Sequence, residues 1–281
     1  MRSGSERPVL PAACTEGRER MQLPDIQDQA DRRGIELDEV GVAGVRYPVR
    51  FSDGTTLQSG VASVDVTVRL PANRRGTHMS RMLELVHEHL RDFDPRELPT
   101  TLKAAADRLD VDGVRLAVSL PIAFEVVSPA SGIEAWQASD VSIHAALNDD
   151  AVVARTTTET DVTSLCPCSK AISDYGAHNQ RSRVSLTVLG MSDDVYPLPV
   201  HRQFDMIRDV GSTPVFPIIK RVDERVVTMN AHDNPAFVED MARDLSQACR
   251  ALGVAHEVRV RNFESIHSHD AVAAVTCTNI G

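Results

Sequence analysis

Between residues 61 and 70 the chain alternates: Val64, Val66, Val68 and Leu70 are separated by Asp65, Thr67 and Arg69. Strand side chains point to opposite faces with a period of two, so this run predicts a strand with one buried and one wet face. The same pattern recurs at 115–127, where Leu116, Val118, Leu120, Ile122, Phe124 and Val126 share a face. At 183–190, Val184, Leu186 and Val188 alternate with Ser185 and Thr187. Weaker alternation predicts strands at 40–51, 139–146, 151–160, 255–264 and 270–278, with Asp53-Gly54 as the turn that ends 40–51.

A helical period appears in four places. At 80–93 the stripe is Met82, Leu83, Val86, Leu90 and Phe93, stopped by Pro95 and Pro99. Further helices are predicted at 100–109 and 198–210. The last, 234–252, takes Asn234 as N-cap and Pro235 as first helical residue, with Phe237, Met241, Leu245, Ala248 and Leu252 as its apolar stripe. The order strand, strand, helix, helix, strand, strand thus occurs twice. Antiparallel sheet backed by helices is the economical packing for such an order, which makes the class α+β. The halves divide into modules at 21–147 and 148–281. Residues 1–20 are polar and aperiodic and read as a disordered tail.

Composition narrows the function. The formal net charge is −10 and no long Lys/Arg run occurs, which argues against nucleic acid as the main partner. A few local cations can still hold a charged small molecule. Cys14, Cys166, Cys168, Cys249 and Cys277 are odd in number and irregular in spacing, unlike a disulfide framework. No uninterrupted apolar run reaches membrane-spanning length and no signal-like segment opens the chain, so a cytoplasmic protein without membrane spans is expected.

Chemistry-bearing side chains crowd three segments. The first runs Leu165-Cys166-Pro167-Cys168-Ser169-Lys170, then Tyr175-Gly176-Ala177-His178-Asn179-Gln180-Arg181. Thiolate and neutral imidazole are good zinc ligands; the Cys-Pro-Cys spacing and the lack of a second pair favour an open three-ligand site over a closed structural one. Spacing alone weighs that reading about evenly against half-buried thiols beside a surface histidine. The second segment, Lys220-Arg221-Val222-Asp223-Glu224-Arg225, is by default a solvated charge run; its functional reading gives a carboxylate to a metal and cations to phosphates. Glu239 and Asp240 follow in the first turn of the last helix, where the dipole favours acids, and Glu239 lies off the apolar stripe. The third segment, Asn262 to Asp270, is a turn carrying His267 and His269. It reads either as a polar hairpin loop or as a pair suited to proton transfer near neutral pH.

Taken in order, these strings resemble the type IB GTP cyclohydrolase I family. The resemblance is carried by Leu23-Pro24-Asp25-Ile26-Gln27, Arg33-Gly34-Ile35 and Gly76-Thr77-His78-Met79-Ser80-Arg81. It continues through Cys166 to Lys170, Gly176 to Arg181, Lys220 to Glu224, Asn234-Pro235, Phe237 to Asp240 and Glu264 to Asp270. It implies a tunnelling fold: two tandem modules per chain, whose sheets close into barrels in a homotetramer with interfacial active sites. The implied reaction adds water at C8 of GTP, opens the imidazole ring, releases formate and rearranges the ribose to give 7,8-dihydroneopterin triphosphate. By motif, Cys166, His178 and Glu224 would bind a divalent metal, with zinc the default and manganese or ferrous iron also suited. Glu239 would anchor guanine, His267 and His269 would transfer protons, and Lys170 and Arg181 would meet the triphosphate. Two positions depart from the family pattern: Met229 stands where Glu is usual and His232 where Tyr is usual. An archaeal-type relative making a cyclic phosphate, or a non-catalytic purine- or pterin-binding barrel, are the alternatives.

Overall fold

The structure is a computed structural model that describes residues 26–27 and 29–278. The tail read at 1–20 and the first part of the Leu23–Gln27 string lie outside the described residues.

Strands β1 (Leu37–Ser52) and β2 (Leu57–Leu70) form the opening hairpin. Its turn is fixed by the Asp53 carboxylate, which accepts from the amides of Thr55 and Thr56 at 2.9 and 2.7 Å. Then follow α1 (Met79–His89), β3 (Asp92–Phe93), α2 (Leu98–Leu109), β4 (Gly113–Val127) and β5 (Glu134–Asn148). The second half comprises β6 (Ala151–Leu165), α3 (Pro167–Ile172), β7 (Asn179–Met191), α4 (Val200–Val210), β8 (Thr213–Pro214), α5 (Arg221–Asp233), α6 (Val238–Ala251), β9 (His256–Asn262) and β10 (Ala271–Cys277). The strands form one sheet in the order β10-β9-β7-β6-β5-β4-β2-β1-β3, with β8 added on β6. Every pairing is antiparallel except the short β1–β3 contact.

The alternation in the sequence is what makes this sheet two-faced. Val64, Val66, Val118 and Ile122 point inward and share a core with Met82, Val86 and Leu102 of the first two long helices. Val184, Leu186, Val258 and Val260 form a second core with Ile207, Met241 and Leu245. The other face carries charge pairs across strands, including Arg115–Glu39, Arg155–Glu257 and Arg183–Asp161. β6 runs past the strand predicted at 151–160: after the inward Thr156, Thr158 and Thr160 only Val162 is aliphatic before the inward Ser164, so the hydrophobic signal fades before the ladder does.

Three sequence expectations need correction. The stretch from Lys220 is solvent-exposed except at Asp223, but from Arg221 it is the start of a helix, α5, that the periodicity does not predict. Asp223 is fully buried there; its carboxylate accepts from the amides of Lys220, Ala130 and Ser131, each at 2.8 Å, and from the Ser131 hydroxyl at 2.7 Å. Burial alone would raise this carboxyl's pKa, but the hydrogen bonds outweigh it and hold the group well below the usual carboxylate range. The segment 234–252 is therefore not one helix. Asn234 closes α5, its amide donating to Asn230 at 3.0 Å, and Phe237 caps α6. With that start the buried stripe becomes Val238, Met241, Ala242, Leu245 and Cys249, and Leu252 is exposed. Finally, the first helix ends at His89; Leu85 rather than Leu83 faces the core, and Phe93 belongs to β3.

Candidate active site

β6 and β7 pair up to Leu165 opposite Asn179, and Cys166 and His178 lie one step beyond. The Cys166 amide continues the ladder by donating to the His178 carbonyl at 3.0 Å. Pro167 starts α3 at once, a favoured place for proline because the first helical N–H has no partner to lose. Cys166 is the N-cap, its Sγ accepting from the Ser169 amide at 3.4 Å. The Ser169 hydroxyl in turn accepts from the His178 amide at 3.3 Å. Thiol and imidazole are thus held by one hydrogen-bonded corner, both half-buried, while Cys168 is exposed. Cys249 and Cys277 are buried in the core, and burial, with the nearby Cys277, pushes the Cys249 thiol up to about 11. Cys249 therefore lacks the character of a reactive thiolate.

The β9–β10 connection adds two more imidazoles. His178 and His267 meet edge to face with ring centroids 6.5 Å apart, and His267 stacks on His269 at 5.3 Å. Both loop histidines are exposed, which leaves them free to exchange protons with solvent or a bound molecule. What places them is the sheet: β7 and β9 are neighbours, and the Phe263 amide donates to the Arg181 carbonyl at 2.9 Å just past the paired region.

The two cations near this corner already have partners. Lys170 Nζ donates to the carbonyl of His232 in the last turn of α5. Arg181 pairs with Asp161 at 3.7 Å. Glu224 and Glu239 sit in the first turns of α5 and α6, exposed, and neither makes a side-chain hydrogen bond or ion pair among the described residues. Glu224 stands at the end of α5 opposite the Lys170 contact. Among the described residues no three His, Cys, Asp or Glu side chains converge as a metal-holding group within one chain. The structure therefore joins Cys166 to His178 through the main chain and brings the rings of His178, His267 and His269 together, while Glu224 and Glu239 form no three-ligand group with them among the described residues. A thiol and an imidazole at one corner suit a borderline metal such as zinc; among the described residues no third side chain is arranged with them as a metal-holding group.

Sequence reasoning assigned no role to Ser164, Gln180 or Asn262, which form a buried polar group behind His178. Only Gln180 left a signal: it lies two residues from His178, and such a spacing on a strand puts both side chains on one face.

A family model described as "Type I GTP cyclohydrolase folE2" matches residues 23–273. A GTP cyclohydrolase FolE2 of Magnetococcus marinus is 39% identical over 263 residues, covering 91% of this chain and 96% of its own. That of Fervidobacterium nodosum is 36% identical and covers 92% and 98% respectively. Among solved structures, the uricase from Arthrobacter globiformis aligns with a TM-score of 0.50 at 10% identity, covering 87% of this chain and 94% of its own. At that identity the likeness speaks for the fold alone, a tunnelling fold as the family resemblance implies. Among the described residues no helix is long and apolar enough to cross a membrane.

Proposed function

The chain belongs to the type I GTP cyclohydrolase folE2 family, and from that premise we propose that the corner at the end of β6 and β7 is where GTP loses C8 of its imidazole ring. The observation that carries this reading is that the main chain joins Cys166 to His178 while the rings of His178, His267 and His269 meet in sequence beside it. The protein is an enzyme of the GTP cyclohydrolase I type, and its product on this reading is 7,8-dihydroneopterin triphosphate with formate.

Cys166 and His178 would hold a divalent metal, zinc first and manganese or ferrous iron as alternatives, with Glu224 completing the set. When bound, such a metal lowers the pKa of coordinated water and so supplies hydroxide at neutral pH. Glu224 joins the pair once subunits assemble, which fits a homotetramer with interfacial sites. Two unpaired sheet edges, at β10 and at the β1/β3 end, are the surfaces that such assembly would cover.

The remaining steps belong to the chain's own groups. Glu239 accepts two hydrogen bonds from the N1–H and 2-amino group of guanine, a bidentate fit that only this purine offers a carboxylate. Lys170 and Arg181 exchange their present partners for the triphosphate. His267 delivers a proton to the ring nitrogen as the C8–N bond breaks, and His269, stacked behind it, restores that proton from solvent. The enzyme works in the cytoplasm, where its nucleotide substrate is at hand.

The test is direct. Protein loaded with zinc and given GTP should release formate and a product that becomes a fluorescent pterin on oxidation. Intact GTP and no formate would contradict the reading. A cyclic phosphate in place of the linear triphosphate would assign the chain to the archaeal type of reaction.

A further inference from the structure

His178, Gln180 and Ser182 follow one another at intervals of two along the start of β7, so their side chains leave the same face. Register sets Ser164 of β6 opposite Gln180, and Asn262 of β9 opposite Ser182. Ser164, Gln180, Ser182 and Asn262 are 1%, 7%, 0% and 3% exposed, so water has little room to stand in for any of their partners.

The hydrogen bonds of this group can run in only one sense. Ser164 Oγ lies 2.7 Å from the carbonyl of Ala236, and a carbonyl only accepts, so the one hydroxyl proton of Ser164 is committed there. Toward its other neighbours Ser164 can then only accept. The side chains of Asn262, at 2.9 Å, and Gln180, at 3.5 Å, must each present their NH2 to it. That turns Asn262 Oδ1 toward Ser182, whose hydroxyl donates to it at 2.5 Å. It also turns Gln180 Oε1 toward His178 Nδ1, at 2.8 Å. An amide oxygen has no proton to give, so Nδ1 carries the hydrogen and Nε2 keeps its lone pair. Ser265 Oγ, 3.5 Å from both His178 Nδ1 and Gln180 Oε1, donates to that amide oxygen and can accept from Nδ1–H, so its hydroxyl agrees with the same sense.

We infer that Gln180 is a positioning residue for His178, and that Ser164, oriented by the Ala236 carbonyl, fixes Gln180 so that His178 is locked in its Nδ1–H tautomer with Nε2 presented to the metal. The inference rests on the reading of His178 as a ligand. A ligating imidazole needs one bare nitrogen, and a partner on the other fixes which nitrogen that is and how the ring is aimed. The same carbonyl lies in the linker that leads to α6 and Glu239. The Ala236 amide donates to the Leu165 carbonyl at 3.1 Å, so the linker and the ligand corner are fastened to one strand end.

The tautomer can be read without metal or substrate. The full chain is stripped of metal and labelled with ¹⁵N-histidine, and long-range ¹H–¹⁵N correlation spectra are recorded at about pH 8.5, where an ordinary imidazole is neutral. The His178 signal is assigned by its loss in His178→Gln. Wild type should show Nδ1–H alone, although an isolated neutral imidazole favours Nε2–H. Gln180→Met should populate both tautomers and weaken zinc binding about tenfold or more. Gln180→Glu, which keeps an acceptor facing Nδ1, should retain the wild-type tautomer. Nε2–H in wild type, or an unchanged tautomer and zinc affinity in Gln180→Met, would overturn the inference. If the tautomer is locked as described but His178→Gln binds zinc as tightly as wild type, the positioning role stands and the metal reading fails.

Discussion

The Cys166 amide donates to the His178 carbonyl at 3.0 Å, so the thiol and the imidazole are fixed to each other through the main chain rather than through flexible side chains. A site built on paired strand ends in this way keeps its geometry when a side chain is changed. Substitutions at the corner should therefore alter chemistry before they alter folding, and the predictions below rely on that separation.

His267 and His269 touch the corner only through ring contacts with His178 and with each other. His267→Asn and His269→Asn should each lower GTP turnover about 100-fold or more, the usual worth of a positioned proton donor. Metal content, measured on the same purified proteins, should stay at the wild-type level. A variant with full turnover removes that histidine from proton transfer.

Glu239 is exposed and free of hydrogen bonds among the described residues, and the proposed reading gives it the guanine edge. Glu239→Gln keeps the shape and replaces one acceptor with a donor. A site built on hydrogen bonds discriminates strongly once a partner is lost, and turnover should fall at least about 100-fold with metal content unchanged. Equal activity would return Glu239 to the service of the helix dipole.

Asp223 anchors α5, and its stabilising effect has a definite pH dependence. Because its folded pKa is depressed, the stabilisation is fully present above the ordinary carboxylate pKa of about 3.9. It drains away as pH falls below that value toward the folded pKa. Asp223→Asn should lower Tm by a few degrees at neutral pH, and the gap to wild type should close progressively below about pH 4. Thermal melts across that range check this; a gap independent of pH would mean that the charge contributes nothing.

Assembly is open to sedimentation. On the proposed reading, in which the open sheet edges are covered by other subunits, the active form is predicted to be a homotetramer. A monomer with full turnover would contradict both the assembly and the sharing of the site between subunits.

The strands were legible wherever inward positions are aliphatic, as in β4, where Leu116 to Val126 alternate without a break. They were illegible where a run of polar inward positions has weakened the alternation, as in β6 beyond Thr160. α5 was hidden because its start depends on a buried carboxylate whose partners, Ala130 and Ser131, are remote in sequence and leave no periodic mark. The corner at Cys166 and His178 was partly readable, since thiol, imidazole and cations crowd one connection. The hub at Ser164 was not: its partners Gln180, Ala236 and Asn262 come from three separate stretches, and only the register of β6, β7 and β9 brings them together.

The most direct test of the account compares two thiols that the sequence makes nearly equivalent. Cys166 caps α3 beside His178, whereas Cys168 is exposed one residue beyond Pro167. Cys166→Ala should stay folded, lose tightly bound metal most severely at low pH, and lose nearly all formate release from GTP. Cys168→Ala should keep most of its metal and its turnover. Full metal and turnover in Cys166→Ala, or loss of metal in Cys168→Ala alone, would contradict the site described here.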